Sequence, residues 1–278
     1  MDTVNIAGVG KTASFAVGPG QPLMLLGGPC ALESEGLARE VASEMQAICK
    51  RLGISYVFKA SFDKANRTSL GAFRGPGIDK GLEILGRIRE DLSVPVVSDI
   101  HEVGQVDKAA AVLDILQIPA FLCRQTDLLV AAAKSGKPIN LKKGQFVSPW
   151  DMANAVAKVK ESGSNQLMLT ERGSCLGYNN LVVDMRALPV MRGLGCPVIY
   201  DATHSVQLPG GAGGSSGGQR EFIPPLTRAA VAAGIDGLFM EIHPDPARAL
   251  CDGPNTMPLA EMEELLKKLL AIHAVVND

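Results

Sequence analysis

The densest chemistry in this chain lies at Lys59-Ala-Ser-Phe-Asp-Lys-Ala-Asn-Arg-Thr-Ser69, where two lysines and an arginine follow an apolar run, Ile54-Ser-Tyr-Val-Phe58. Ammonium and guanidinium groups supply charge, while Ser61, Asn66, Thr68 and Ser69 supply hydrogen bonds, a combination that suits phosphate or carboxylate. Alternation along a strand puts Phe58 and Lys59 on opposite faces, so a charged group leaves the strand's end toward a cavity or solvent. Taken alone, the segment reads equally well as a solvated basic loop.

Comparable groups stand just past other short apolar runs: Cys30, Asp99 and His101, Arg124, Lys142 and Lys143, Glu171 and Arg172, Asp201 and His204, Glu241 and His243. Two chemistries separate. Lys59, Lys64, Arg67, Arg124, Lys142 and Arg172 suit a substrate with several anionic groups. Cys30, His204, Glu241 and Asp252 offer soft and hard donors to a divalent metal, but His101, His243 and Cys251 offer the same, and spacing does not select among them. A lone buried cysteine is ordinarily a small hydrophobe, and a lone histidine a hydrogen-bonded core or capping group. Lys59 or Lys142 would also suit a Schiff-base aldolase, because neighbouring cations depress a lysine's pKa, yet the same crowding serves anion binding.

The elements that must carry these groups follow a rhythm. Strand-like runs at Pro22–Gly27, Ser55–Phe58, Val94–Val97, Ile115–Pro119, Pro138–Leu141, Gln166–Leu169, Pro197–Tyr200 and Gly237–Glu241 alternate with helical segments. The helices are read at 33–52, 78–91, 104–113, 126–135, 149–162, 179–192, 221–234 and 258–275. Continuously apolar strands each followed by a helix predict a single α/β domain, a (β/α)8 TIM barrel over residues 23–278. Residues 1–22 read as a short β extension, a strand or hairpin. A doubly wound sheet is the rival, but no Gly-x-Gly-x-x-Gly turn follows the first strand. In a barrel the ends of the strands converge, which turns scattered charges into one site. The glycine-rich stretch Pro209–Arg220 lacks the Gly-Lys-Ser/Thr of a P-loop and reads as a lid over the seventh strand's end.

Composition narrows the classes further. With 46% apolar residues the chain has ample core, and no run approaches the ~18 apolar residues of a membrane span. A formal charge of −2 with interspersed signs argues against a nucleic-acid partner. The 6 cysteines lie far apart with no Cys-x-x-Cys pair, and no signal peptide is read, so a cytoplasmic protein without a disulfide framework is expected.

Lys59–Ser69, Arg124-Gln-Thr-Asp, Lys142-Lys-Gly-Gln-Phe-Val-Ser-Pro and Cys251-Asp-Gly-Pro closely resemble the 3-deoxy-D-manno-octulosonate 8-phosphate synthases, from about Pro22 to the last helix. The resemblance implies a (β/α)8 barrel, usually a homotetramer, that condenses phosphoenolpyruvate with D-arabinose 5-phosphate and water to make a lipopolysaccharide precursor. It implies that Lys59, Ser61, Lys64, Lys142, Gln145 and Arg172 form the phosphoenolpyruvate pocket. Asn66, Arg67 and Thr68 would hold the arabinose phosphate, with Thr68 where many relatives have serine. Asp99 would lie near the reacting centre, and Arg124 would reach a neighbouring subunit's site. Gly28-Pro-Cys30 stands where the metal-independent branch has asparagine in place of the cysteine, which implies the metal-dependent branch. The implied ligands are Cys30, His204, Glu241 and Asp252, holding one divalent ion of zinc, iron, manganese or cobalt, with His101 and His243 in supporting roles.

Two rivals remain at this level. The related synthase of the aromatic pathway uses erythrose 4-phosphate and typically carries Lys-Pro-Arg-Thr-Ser in its substrate loop; here Lys64-Ala-Asn-Arg67-Thr-Ser adds Asn66, which favours the five-carbon aldose. A non-catalytic barrel would bind sugar phosphate without turnover.

Overall fold

The computed structural model describes residues 2–211, 213 and 216–277. An antiparallel hairpin, β1 (Val4–Ile6) and β2 (Phe15–Val17), precedes β3 (Met24–Gly28), α1 (Glu35–Leu52), β4 (Ser55–Lys59), α2 (Ile78–Leu92), β5 (Val96–Asp99) and α3 (Val106–Ala110). There follow β6 (Ile115–Ile118), α4 (Thr126–Lys134), β7 (Ile139–Lys142), α5 (Met152–Glu161) and β8 (Leu167–Glu171). A small hairpin, β9 (Ser174–Cys175) and β10 (Leu181–Val182), leads to α6 (Ala187–Arg192) and β11 (Val198–Asp201). A second, β12 (Gln207–Leu208) and β13 (Gly217–Gly218), leads to α7 (Ile223–Ala232), β14 (Gly237–His243), β15 (Met257–Pro258) and α8 (Met262–Asn277).

The eight strands β3, β4, β5, β6, β7, β8, β11 and β14 pair in parallel, and β14 pairs with both β11 and β3, so the sheet closes. This is the (β/α)8 barrel that the alternation predicts. The helices form because each carries an apolar stripe and a local stop. In α1, Ala38, Val41, Ala42, Met45 and Ile48 are buried, Ser34 Oγ accepts the Leu37 N–H at 3.2 Å, and Gly53 at φ 69° ends the helix.

Parity along the strands builds layers inside the barrel. Met24, Leu26, Val57, Val97, Ile115, Met168, Ile199 and Phe239 form one apolar cluster, and Val4, Ile6 and Val17 of the hairpin pack into the same cluster at the strands' N-terminal ends. Phe58 belongs instead to the outer cluster under the helices, so Lys59 shares the inward face with Val57. The next inward positions are polar: Lys59, Asp99, Gln117, Asn140, Lys142, Thr170, Asp201 and Glu241 are all buried.

Several boundaries differ from the sequence reading. Lys59, Asp99, Lys142, Glu171, Asp201 and His243 lie within the strands rather than past them, because the backbone ladder continues beyond each apolar run. The helix read at 179–192 shortens to α6, since Leu181 and Val182 pair with Ser174 and Cys175. The helix read at 104–113 shortens to α3, preceded by a 3-10 turn at Val103–Gln105. The lid expectation falls partly on Ala212, Gly214 and Ser215, which lie outside the described residues.

Candidate active site

The mouth of the barrel holds a cavity of about 470 Å³, lined among others by Lys59, Lys64, Asp99, Lys142, Arg172 and His204. Its ammonium groups are already paired. Lys59 Nζ donates to the Cys30 carbonyl and to Glu241 Oε1, both at 2.9 Å, and Lys64 Nζ lies 3.5 Å from the same Glu241 oxygen. Lys142 Nζ donates to Asp201 Oδ2 at 2.7 Å and stands 3.4 Å above the Phe239 ring centre. Arg172 Nη2 donates to Gln207 Oε1 at 3.2 Å, while its Nη1 is buried with no partner among the described residues. That leaves a guanidinium edge ready for an anion.

Burial lowers the pKa of Lys142 and Arg172. Burial alone would also lower Lys64, but Cys30, Glu241 and Asp99 outweigh it and raise its pKa. Burial would raise Asp99; Lys64, Lys59 and Lys142 together hold it well below the usual carboxylate range. Asp201 behaves alike, with His204 and Lys142 overriding burial. Carboxylates held low stabilise the fold above their unfolded pKa of about 4, and that stability is lost as pH falls through the folded value. The thermal midpoint should therefore drop as pH is lowered from 5 to 3. Asp99→Asn should make that drop shallower, and an unchanged slope would contradict this assignment.

Asp99 is gripped from two sides: Ser61 Oγ donates to Oδ2 and Gln117 Nε2 to Oδ1, both at 2.5 Å. Ser61 thus faces Asp99 and is not among the described residues lining the cavity. Asn66, Arg67 and Thr68 line the outer part of the cavity, and Gln145 lines it with an Oε1 that has no partner among the described residues. Arg67 makes no ion pair with any described residue. Arg124 is exposed beside α4 and is not among the described residues lining the cavity.

The metal donors converge next to the cavity. One ligand atom each from Cys30, Glu241 and Asp252 lie within 4.8 Å of one another. His204 Nε2 is 3.7 Å from Glu241 Oε1 and 3.9 Å from Asp252 Oδ2, and its Nδ1 is held at 2.8 Å by Asp201 Oδ2. A carboxylate on one ring nitrogen fixes the other toward the donor group. Burial, then Cys251 and Glu241, push the Cys30 thiol up, and its Sγ donates to Asp252 Oδ2 at 3.2 Å. Glu241 Oε2 is buried with no hydrogen-bond partner among the described residues. A buried orphan oxygen amid thiol, imidazole and carboxylate donors fits a divalent cation. His243 turns away: its Nδ1 accepts the Asp245 N–H at 2.9 Å and its Nε2 lies 3.7 Å from Glu33. His101 lines the cavity edge-on to Phe62, and Cys251 packs with Ala31 and Phe73 beside Cys30.

Sequence reasoning left out several groups of this site. Gln117 and Asn140 lie inside runs read as apolar strands, and Thr170 lies one residue past the run read at Gln166–Leu169; a polar residue at inward parity was the available signal. Gln207 joins the two halves, with Oε1 on Arg172 and Nε2 on Asp252 Oδ1 at 3.2 Å. Lys143, fully buried, turns from the cavity and donates to Gly144 O, Val147 O, Gly173 O and Ser174 Oγ, with Glu171 Oε1 at 3.6 Å. Glu171 Oε1 in turn accepts the Arg172 and Gly173 N–H groups. This pair staples the loops that carry Gln145 and Arg172. Burial lowers Lys143 and raises Glu171, so each ion depends on the other. Lys143→Met or Glu171→Gln alone should cost about 3–5 kcal/mol in urea unfolding. The double variant should cost about 1–3 kcal/mol less than the sum, and additivity would refute the coupling.

A closed parallel barrel with cations, acidic donors and a thiol at its C-terminal mouth fits the class of scaffolds that take an anionic small molecule, with a group of residues beside it that could hold a metal. The family model described as DAHP synthetase I family matches residues 7–276, and the chain belongs to that family. It is 73% identical over 266 residues to the 2-dehydro-3-deoxyphosphooctonate aldolase of Desulfotalea psychrophila, covering 96% of this chain and 95% of the relative. Proteins of the same name from Syntrophotalea carbinolica and Trichlorobacter lovleyi are 61% and 63% identical, covering 96% and 95% of this chain and 96% and 97% of their own lengths.

Proposed function

We propose that the protein condenses phosphoenolpyruvate with D-arabinose 5-phosphate and water, yielding 3-deoxy-D-manno-octulosonate 8-phosphate and inorganic phosphate. The observation that carries this reading is one cavity joining two sets of anion-binding groups: Lys59, Lys64, Lys142 and Arg172 inside, and Asn66, Arg67 and Thr68 outside. The name shared by relatives that span nearly the whole chain supports it.

The inner groups bind the three-carbon substrate. Lys142 and Arg172 hold its phosphate, Arg172 through the buried Nη1 that has no described partner, and Lys59, Lys64 and Gln145 complete the pocket. Arg67 holds the sugar's phosphate at the far end, so the aldehyde carbon faces the enol. Carbon three of the enol attacks that aldehyde and water adds at carbon two. Positive character grows on the enolpyruvate fragment and negative charge on the aldehyde oxygen. Asp99, kept ionised by three lysines, offers an acceptor near the reacting centre. Cleavage of the carbon–oxygen bond then expels phosphate into a pocket whose lysines and arginine already compensate its charge.

Cys30, His204, Glu241 and Asp252 would hold one divalent metal, which as a Lewis acid orients the aldehyde or lowers the pKa of water. No helix among the described residues is long and apolar enough to cross a membrane. The proposed reaction, which joins two phosphorylated small molecules, is placed in the cytoplasm. Arg124, exposed in one chain, serves a neighbouring subunit's cavity in a homotetramer. Purified protein with a divalent metal should release one phosphate per phosphoenolpyruvate consumed and form an eight-carbon product with arabinose 5-phosphate. No phosphate release with either arabinose 5-phosphate or erythrose 4-phosphate would overturn the reading.

A further inference from the structure

The polar layer above the barrel's apolar floor contains a directed chain of hydrogen bonds across four adjacent strands. Thr170 Oγ1 on β8 donates to Asn140 Oδ1 on β7 at 2.6 Å, Asn140 Nδ2 donates to Gln117 Oε1 on β6 at 2.8 Å, and Gln117 Nε2 donates to Asp99 Oδ1 on β5 at 2.5 Å. Thr170 and Asn140 are fully buried, and neither is among the described residues lining the cavity, whereas Gln117 and Asp99 both line it.

An amide side chain can sit either way round, so this order needs a cause. An ionised carboxylate only accepts, so Gln117 must turn Nε2 to Asp99, which leaves Oε1 facing Asn140. Asn140 must then turn Nδ2 to Gln117, which leaves Oδ1 in need of a donor. The Thr170 hydroxyl, a rotatable donor, supplies it and closes the chain. Reversing any link leaves two acceptors or two donors face to face in a dry interior, at about 1–3 kcal/mol for each unsatisfied group.

We propose that Thr170 and Asn140 are positioning residues that act through Gln117 to fix the amide and carboxylate facing the substrates, an inference resting on the proposed condensation. They touch no substrate. Their work is to deny Gln117 its flipped state, in which Oε1 would confront the Asp99 carboxylate and displace it from the reacting centre.

Three near-isosteric variants of the full-length, metal-supplied protein test this by steady-state kinetics, with thermal unfolding as the check on folding. Thr170→Val removes the terminal donor while keeping shape, and should lower kcat about tenfold with both KM values within about threefold. Thr170→Ser restores the hydroxyl and should recover kcat to within about twofold. Asn140→Asp keeps size but removes the donor to Gln117, so the amide must turn to the new carboxylate; kcat should fall about thirtyfold or more. Because a protonated carboxyl can donate again, its pH optimum should also move to lower pH. Folded Thr170→Val and Asn140→Asp proteins with kcat within about threefold of the parent would overturn the proposal, as would Thr170→Ser failing as badly as Thr170→Val. Inactivity of the parent protein would instead refute the proposed condensation.

Discussion

Stripping divalent metal from the protein with a chelator should cut turnover of phosphoenolpyruvate with arabinose 5-phosphate by about a hundredfold or more, and adding a divalent ion back should restore it. The expectation comes from how the donors are arranged. Glu241 has one carboxylate oxygen tied to Lys59 and Lys64 and the other buried without a described partner, and Cys30 keeps its proton and shares it with Asp252. His204 is aimed at both carboxylates while Asp201 holds its other nitrogen. Such a set of donors fits a divalent cation. The metal-independent branch of the family that the sequence resembles carries asparagine where this chain has Cys30, so on the proposed reading the ion would organise the pocket more than it ionises a substrate. Stripped Cys30→Asn protein should therefore outperform stripped parent. Full activity of the stripped parent would defeat the metal assignment, and a stripped Cys30→Asn protein as inactive as the parent would defeat the organising role.

Arg67→Ala should raise KM for the sugar phosphate about 10- to 100-fold while leaving KM for phosphoenolpyruvate within about twofold. Arg67 lines the outer cavity without an ion pair to any described residue, so its charge is available to a ligand. Lys59 and Lys64 are spent on Glu241 at the inner end, and Lys142 on Asp201. On the proposed reading one loop serves two reactants, with its start in the barrel's polar layer and its end at the rim. A KM rise confined to phosphoenolpyruvate would show the division to be wrong. Hydrogen bonds between charged partners contribute about 1.5–3 kcal/mol, which sets the scale of the effect.

Much of this was legible in the chain itself, for a definite reason. A parallel barrel strand is apolar until its last residues, so a charge after an apolar run marks the C-terminal mouth; Lys59, Asp99, Lys142, Asp201 and Glu241 all carried that mark. What the chain did not disclose is pairing across the barrel. The contact of Asp201 with His204 is local, three residues apart, but its bond to Lys142 forms only when β8 sets β11 one strand away from β7. Gln117 and Asn140 hid inside apolar runs because a buried polar layer obeys strand parity rather than hydrophobicity. The segment 179–192 misled because Leu181 and Val182 supply helix-like apolar residues to a two-residue strand, where pairing with Ser174 and Cys175 wins. Lys143 was read only as a charged group past the fifth strand beside Lys142; adjacent positions cannot share a face, and it serves as a staple between loops. The metal donors were all visible as residue types, but selecting Cys30, Glu241 and Asp252 required the fold to bring them within 4.8 Å.

The central claim is that this cavity joins phosphoenolpyruvate to a five-carbon aldose phosphate. The ratio of kcat/KM for arabinose 5-phosphate to that for erythrose 4-phosphate, measured on the same metal-supplied protein by phosphate release, tests it most directly. Asn66, Arg67 and Thr68 at the outer rim predict a ratio of about a hundred or more in favour of the pentose phosphate, since a misplaced phosphate forfeits its charged hydrogen bonds. A ratio at or below one would contradict the account.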